Sequence, residues 1–213
     1  AAKPGLLLLD EPLAALDSPT RVRLRGELRQ LLQQAGTPSI LVTHDRTDAL
    51  ALGDDLVVMS GGCLVQHGTV QEVFSRPANL AVAQIVAVET VQPGRVLEAG
   101  ELVTVGVGDH KIIALGGNAL PAGTRDVFVC IRAEDVVLVK GEVRGSPRNC
   151  FAATVRGLTA EGPMVNIELD CGFSLRALLT RQASEELGLK AGERVQALVK
   201  APHVHLIPRN PLT

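Results

Sequence analysis

The chain has 213 residues, of which 46% are hydrophobic, with no Trp or Tyr and a formal net charge of −2. This length allows one large or two small globular domains, and the core must be aliphatic rather than aromatic. Neither the first 87 residues nor the remainder has an excess of basic residues, which argues against nucleic acid as a partner. No uninterrupted apolar run approaches the length of a membrane-spanning helix, so any attachment to a membrane would depend on a partner protein.

The cysteines give a weak indication of compartment. They are Cys63, Cys130, Cys150 and Cys171, and no two of them form a C-x-x-C pair, which argues against a zinc site. All four lie in apolar, strand-like contexts, so we expect reduced cysteines in the core. This pattern favours a reducing cytoplasm over a disulfide-stabilised secreted protein.

An apolar run near the N-terminus ends in two acidic residues. Residues 6–9 are all Leu and predict a short buried strand, which Asp10 and Glu11 follow directly. In open α/β sheets, ligands bind at the carboxyl ends of strands. An acid there can bind Mg²⁺ and its neighbour can polarise a water. A surface turn after a core strand would give the same residues, so this motif alone leaves both interpretations open.

A helix and a second strand follow. Ser18 is the expected N-cap, with Pro19 at the first helical position and Gly36 as the C-cap. Leucines between them follow helical spacing. The apolar residues 39–43 predict a strand that leads directly into His44.

Two glycines further on predict a hairpin. Gly61 and Gly62 lie between the apolar residues 56–59 and 63–65, which is the pattern of a tight turn between antiparallel strands. We therefore interpret residues 60–63 as a turn, although their letters faintly resemble a nucleotide-binding signature motif.

The ordered set strand, Asp-Glu-Pro, Leu-Ala-Ala-Leu-Asp, helix, strand, Thr-His-Asp resembles the C-terminal half of the ATP-binding subunit of ABC transporters, over residues 1–87. The resemblance implies an ABC-type ATPase that uses ATP and Mg²⁺. It implies that Asp10 helps to bind Mg²⁺, that Glu11 is the catalytic carboxylate that orients the attacking water, and that His44 senses the γ-phosphate. Residues 14–17 match the D-loop, so Asp17 is expected near the nucleotide at the contact with a second ATPase subunit.

The resemblance also implies partners and a location. These are a homodimer of ATPase subunits and transmembrane permease subunits, at the cytoplasmic face of the inner membrane. The phosphate-gripping G-x-x-x-x-G-K-[ST] motif is not found, since the chain contains no Gly-Lys dipeptide. We therefore expect a fragment of a longer ATPase that does not hydrolyse ATP by itself.

The residue pattern of the sequence changes near residue 88. Short Val, Leu and Ile runs between Gly and Pro predict small β-barrels, and one helix is expected near residues 181–187. Residues 129–138 align with residues 197–206, which pairs Arg132 with Lys200. The predicted organisation is an α/β part over residues 1–87, followed by an all-β, OB-like tandem barrel with units at 88–142 and 145–209.

The second β unit resembles the molybdate-binding MOP/TOBE domain. Its opening Ser146-Pro147-Arg148-Asn149 and its late Lys200-Ala201 match that family's Ser-x-Arg-Asn and Lys-Ala motifs. The resemblance implies that Ser146, Arg148, Asn149 and Lys200 bind a tetrahedral oxyanion, for which their donors and positive charges are suited. A plain turn and a solvated lysine would give the same residues. The first unit has Thr90 where the second has Asn149, so we expect it to be mainly structural.

Together the two resemblances predict the ATP-binding subunit of an importer for molybdate or a related oxyanion, with a C-terminal oxyanion-sensing domain. Two alternatives remain open at this point. The chain could be a stand-alone molybdate or tungstate sensor or storage module. It could also be the ATPase subunit of a sulfate, ferric-iron or polyamine importer.

Overall fold

The protein was examined as a computed structural model that describes residues 4–116, 120–121, 123–141 and 145–209. The chain folds as two compact units that divide between Phe74 and Ser75. The elements up to this division are β1 (Leu7–Asp10), α1 (Ser18–Ala35), β2 (Ser39–Val42), α2 (Arg46–Leu52), β3 (Asp55–Ser60), β4 (Cys63–Thr69) and α3 (Val70–Ser75).

The elements after the division are mainly strands. They are α4 (Leu80–Ile85), β5 (Thr90–Glu98), β6 (Leu102–Val107), β7 (His110–Leu115), β8 (Asp126–Ile131), β9 (Val137–Val139), β10 (Asn149–Glu161), β11 (Met164–Asp170), β12 (Ser174–Thr180), α5 (Arg181–Glu186), β13 (Arg194–Val199) and β14 (Val204–Pro208). The predicted α/β part followed by β-barrel domains is therefore confirmed. None of the helices in the described ranges is long and apolar enough to span a bilayer.

The first unit is organised around a parallel pair of strands. β1 and β2 run in register from Leu7 opposite Ser39 to Asp10 opposite Val42, so both strands end at the same edge. The α1 helix that connects them ends at Gly36, whose φ of 58° is the left-handed conformation that glycine allows. The helix begins one residue earlier than expected, because Asp17 rather than Ser18 is the N-cap.

The β3–β4 hairpin confirms the predicted turn. Gly61 and Gly62 have φ angles of 58° and 78°, the positive pair that a two-residue hairpin loop needs. The antiparallel register closes at Ser60 opposite Cys63.

The second unit consists of two five-stranded antiparallel sheets that exchange strands. One sheet has the order β7-β6-β5-β8-β14, and the other has the order β12-β11-β10-β13-β9. β9 lies in the predicted first β unit but pairs with β13 of the second, and β14 pairs with β8 of the first. The two β units therefore complete each other's sheets. The unit boundaries at 87, 142 and 145 stay predictions, and residue 142 lies outside the described residues.

The two sheets repeat each other in detail. Thr90 pairs with Ile131 at the start of β5, just as Asn149 pairs with Val199 at the start of β10. A register shift follows seven residues into each strand, at Leu97 in β5 and at Arg156 in β10. Equivalent bulges bend the equivalent strands in the same place. The internal repeat that the sequence predicts is thus a structural repeat as well.

Both sheets share one aliphatic core. It includes the fully buried Ile112, Val129, Ile167 and Leu175, and Phe151 is one of its few aromatic residues. The expectation for the cysteines is only partly right. Cys130 and Cys171 are buried, but Cys63 and Cys150 are exposed, and all four are free thiols. Alternation on an antiparallel strand turns every second residue outward, so an apolar context alone does not bury a side chain.

Candidate functional site

Glu11 and His44 meet at the shared edge of the parallel strands. Oε1 of Glu11 lies 2.7 Å from Nδ1 of His44 and accepts a hydrogen bond from the His44 backbone N–H at 3.1 Å. The two residues are 33 positions apart, and the parallel pairing of β1 with β2 brings them together. The parallel pairing therefore brings together two residues that the sequence analysis singled out.

The contact fixes how the imidazole is presented. When the ring is neutral, Nδ1–H donates to Glu11 and Nε2 is the acceptor that faces outward. The His44 side chain is 77% exposed and that of Glu11 is 34% exposed. The pair is therefore open to a ligand rather than enclosed in the core.

Glu11 has an unusual backbone conformation. Its φ is 47°, one of two positive values among the non-glycine residues that the structure describes, and it directly precedes Pro12. Left-handed backbone costs a non-glycine residue about 1–2 kcal/mol. Strain of this kind concentrates at functional sites, where the surrounding structure holds a side chain in place. No residue pattern in the sequence indicates this conformation.

Asp10 is the remaining acid at this edge. It is exposed at the last position of β1, opposite Val42 in the register. Mg²⁺ prefers oxygen ligands and keeps several waters, so a single exposed carboxylate beside a second acid fits the chemistry of such a site. Within the described residues, no group of three or more His, Cys, Asp or Glu side chains is arranged as a protein-only metal site. Any Mg²⁺ here would need further ligands from a nucleotide or from water.

Arg21 connects this edge to the loop that contains Leu13 and Ala14, and the sequence analysis missed it. Its Nε and one terminal nitrogen donate to the carbonyls of Leu13 and Ala14, at 3.1 and 3.0 Å. The other terminal nitrogen donates to Oδ2 of Asp45 at 2.9 Å. Asp45 directly follows His44, so one guanidinium links the loop after Glu11 to the loop that carries the histidine. Arginines at four-residue spacing on a helix are a usable signal, but their partners are not visible in the sequence.

Asp45 and Asp17 are both helix caps. Asp45 accepts hydrogen bonds from the N–H groups of Thr47 and Asp48 at the start of α2. Partial burial alone would raise the pKa of Asp45, but these hydrogen bonds and the charge of Arg21 outweigh it and leave the pKa below its usual value. The hydrogen bond from Thr20 likewise lowers the pKa of Asp17, whose carboxylate caps α1. The expected contact of Asp17 with a nucleotide and a second subunit stays a prediction.

A second candidate site lies in the second unit, where β10 begins and β13 ends. Asn149 opposes Val199, so Arg148 and Lys200 are the next positions on either side of this end of the ladder. Both side chains belong to exposed residues, and neither forms an ion pair within the described ranges. Exposed cations that form no ion pair among the described residues are suitable donors to an anion.

Asn149 directly follows Arg148 in the sequence, but its side chain forms hydrogen bonds within the protein. Its side chain is buried, with Nδ2 donating to the carbonyls of Ile113 at 2.8 Å and Val199 at 3.1 Å. Oδ1 accepts from the Ile113 backbone N–H at 2.7 Å. Both amide hydrogens are therefore used within the protein. Asn149 was predicted to donate directly to an oxyanion. In this structure its amide hydrogens are not available for that role, because the side chain joins β10 to β7.

Ser146 and Ala201 complete the surroundings of Arg148 and Lys200. Ser146 is exposed two residues before Arg148, and it can offer a hydroxyl. Ala201 begins the 3₁₀ turn that directly follows Lys200. We call Ser146, Arg148, Lys200 and the Ala201 N–H the open cation site. Its three side chains are among those that the sequence predicted to bind an oxyanion, and that role stays a prediction.

A family model described as the TOBE domain matches residues 145–206 of this chain, which contain the open cation site. A protein of Pyrococcus horikoshii named molybdate/tungstate import ATP-binding protein WtpC is 39% identical over 97% of this chain. The chain is thus similar over most of its length to import ATP-binding proteins, and its residues 145–206 match the TOBE domain model. A sulfate/thiosulfate import ATP-binding protein of Chromobacterium violaceum, CysA 2, is 33% identical over 98% of the chain.

The chain spans somewhat more than half the length of these relatives, 57% of the Pyrococcus protein and 56% of the Chromobacterium protein. The chain is also similar to a solved structure of the cytoplasmic molybdate-binding protein ModG, with molybdate bound. It aligns with a TM-score of 0.51 and 26% identity, over 57% of this chain and 98% of that one. More than half of this chain therefore corresponds in fold to a protein described as molybdate-binding.

Proposed function

We propose that this chain is part of the ATP-binding subunit of an importer for molybdate or a related oxyanion, and that its TOBE domain binds that oxyanion. The observation that carries the proposal is the open cation site. Arg148 and Lys200 are exposed and directly flank the paired residues Asn149 and Val199 at the end of the β10–β13 ladder, in a chain of which 57% aligns with a molybdate-binding protein. The nucleotide part of the proposal is supported by the contact between Glu11 and His44.

In the proposed ATPase role, Glu11 and His44 act as a unit. Bound ATP and Mg²⁺ would supply the transferable phosphoryl group and the charge that stabilises its transfer. The Glu11 carboxylate is held by the imidazole and backbone N–H of His44, which places a proton acceptor at a fixed point of the strand edge. Asp10 offers an oxygen ligand beside it, and Asp17 lies on the loop expected to contact a second ATPase subunit.

The exposed apolar residues of the parallel pair agree with this role. Leu8 is 68% exposed, Ile40 is 52% exposed and Val42 is 54% exposed. Parallel strands are normally covered on both faces. We infer that further elements of a complete nucleotide-binding domain cover these strands, and that the complete protein dimerises and associates with permease subunits at the inner face of the membrane.

The oxyanion part is tested by calorimetric titration of the purified chain with molybdate, tungstate and sulfate. We expect one binding event per chain and at least a tenfold loss of affinity for Arg148→Ala and for Lys200→Ala, because each removes a charge-assisted donor worth about 1.5–3 kcal/mol. Arg194→Ala is the matched control, since Arg194 is an exposed cation at the opposite end of β13. Absence of binding by all three anions would remove this part of the proposal.

The ATPase part is tested by supplying phosphate-binding residues from a relative. The corresponding N-terminal segment of the Pyrococcus horikoshii relative is fused ahead of β1, and Mg²⁺-dependent ATP hydrolysis is measured. Glu11→Gln and His44→Ala should each reduce the rate by at least a hundredfold. Glu27→Gln is the control, because Glu27 is an exposed acid whose partner is Arg23 on the same helix. A folded chimera that hydrolyses ATP equally well without Glu11 would contradict this role.

A stand-alone oxyanion sensor or storage module is the second candidate. It is favoured by the alignment of 57% of this chain with almost the whole length of the molybdate-binding structure. The two candidates differ in the chimera. A sensor would retain molybdate binding while Glu11 and His44 had no influence on any nucleotide-dependent activity.

A further inference from the structure

The first β unit contains a counterpart of the open cation site with one charge reversed. Thr90 opposes Ile131 as Asn149 opposes Val199, so Glu89 occupies the position that corresponds to Arg148. Arg132 corresponds to Lys200, since each directly precedes a 3₁₀ turn with closely similar backbone angles. An acid and a cation thus stand in the first unit where two cations stand in the second.

The carboxylate of Glu89 lies among the groups that would receive an anion. Its Oε2 accepts a hydrogen bond from the Ala133 N–H at 3.3 Å and lies 3.9 Å from a guanidinium nitrogen of Arg132. Ala133 corresponds to Ala201 of the open cation site. The side chains of Glu89 and Arg132 are only 20% and 9% exposed. A guanidinium and a backbone N–H recognise a carboxylate and an oxyanion through the same donors.

We propose that the first β unit holds an anion site that Glu89 occupies permanently, so that the chain binds an external oxyanion only in the second unit. This inference rests on the proposed function for the role of the open cation site, but the occupied site itself is visible in the contacts of Glu89. A carboxylate attached to the chain excludes a free anion by its volume and by its charge. The ligand class that the site would accept without Glu89 is a small carboxylate or tetrahedral oxyanion.

Removal of the Glu89 carboxylate would take its negative charge away from a buried guanidinium. Breaking a buried ion pair by removing one partner is strongly unfavourable, so the variant should be destabilised and should gain affinity for anions that replace the lost group. The anion would restore stability because it binds the folded state and not the unfolded chain.

The experiment uses the whole 213-residue chain carrying Lys200→Ala, in which the open cation site is disabled. Thermal unfolding is recorded in sodium chloride, acetate and molybdate at equal ionic strength. We expect Glu89→Ala to lower Tm by about 5–10 °C in chloride, and acetate or molybdate to restore at least half of this loss. Calorimetry should then show one further molybdate site per chain than the Lys200→Ala parent has.

Three comparisons make the result specific. Glu89→Gln removes the charge but keeps the bulk, so it should be destabilised without rescue by anions. Glu168→Ala removes an exposed carboxylate paired with Arg176 at 2.9 Å, and it should show neither effect. If Glu89→Ala is unfolded in chloride, the yield of folded protein after refolding in acetate or molybdate replaces the thermal readout, with the same expected rescue.

The inference is overturned if folded Glu89→Ala gains no stability from any of these anions, or if Glu168→Ala gains as much. It is also overturned if refolding of Glu89→Ala is indifferent to the anion. Failure of the proposed function has a different signature. The wild-type chain would then bind no molybdate, while the Glu89→Ala variant would still respond to acetate.

Discussion

Asn149 and Thr90 occupy equivalent positions in the two sheets, and the side chain of each forms a hydrogen bond to a strand of the other sheet. The Asn149 side chain accepts from the N–H of Ile113 in β7, and the Thr90 hydroxyl accepts from the N–H of Arg176 in β12. Both residues are 2% exposed. The tandem β unit is therefore joined by two related polar contacts in addition to the exchanged strands and the shared core.

The two contacts should differ in strength. Asn149→Ala removes three hydrogen bonds and leaves buried backbone groups unpaired, so we expect a loss of about 3 kcal/mol in the free energy of unfolding. Thr90→Val removes one hydrogen bond and should cost about 1–2 kcal/mol. Urea denaturation measures both values. Thr159→Val, at an exposed site on β10, is the control and should change stability by less than about 0.5 kcal/mol. Equal effects of Thr90→Val and Thr159→Val would contradict this account.

Local patterns in the sequence predicted the local features correctly. The Gly61-Gly62 turn and the repeat that pairs Arg132 with Lys200 are both found, because turn geometry and strand alternation depend on neighbouring residues. The cap of α1 was misplaced by one residue because Asp17 and Ser18 are both good caps. The structure distinguishes them, because the Thr20 N–H donates to the Asp17 carboxylate.

Features that depend on distant parts of the chain were not predictable. The exchange of β9 and β14 between the sheets could not be predicted, because an apolar strand has the same residue pattern in either sheet. The use of the Asn149 amide by Ile113 and the link from Arg21 to Asp45 join residues far apart in sequence. For the open cation site, the residue types indicated which side chains could bind an anion. Whether the polar atoms of a side chain are already hydrogen-bonded within the protein depends on the fold.

Arg21 should control the rigidity of the loops that flank Glu11 and His44. Arg21→Ala removes donors to Leu13, Ala14 and Asp45 together, so we expect faster hydrogen exchange at residues 13–16 and at the first turn of α2. Exchange is measured by mass spectrometry. Arg23→Ala on the same helix breaks an exposed pair with Glu27 and should leave those loops unchanged. Identical exchange in Arg21→Ala and wild type would show that residues 13–16 are held by other contacts.

His205 should make stability depend on pH. Burial lowers the pKa of His205, and nearby Arg76 lowers it further, against the raising effect of its 2.8 Å hydrogen bond to the Pro77 carbonyl. The unfolded chain therefore takes up a proton at this side chain, near its usual pKa of about 6.5, before the folded protein does. The stability contribution is complete above that value and is lost as the pH falls toward the folded-state pKa.

Urea titrations across that pH range measure the effect. His205→Gln should reduce the slope of stability against pH, because glutamine can donate to Pro77 without titrating. His67→Gln is the control, since His67 is exposed in β4. An unchanged slope in His205→Gln would show that other groups cause the pH dependence.

The four thiols should separate into two classes. Cys63 and Cys150 are exposed, whereas burial raises the pKa of both Cys130 and Cys171 to about 12. Only the thiolate reacts with a disulfide reagent. Two thiols per folded chain should therefore react rapidly at mildly alkaline pH, and the other two only after unfolding in urea. The Cys63→Ser, Cys150→Ser double variant should show no rapid phase, and a rapid reaction of that variant would mean that a buried thiol is accessible.

The chain alone should not hydrolyse ATP, although Glu11 and His44 are already in contact. Phosphoryl transfer depends on positioning of the triphosphate, and the backbone N–H groups and lysine that grip it in P-loop enzymes have no counterpart where no Gly-Lys dipeptide exists. We expect phosphate release from ATP and Mg²⁺ to equal the background of Glu11→Gln, assayed in parallel with the active chimera as the positive control. A Mg²⁺-dependent rate in the purified chain that Glu11→Gln abolishes would contradict the prediction, and it would mean that other residues of this chain hold the triphosphate beside Glu11.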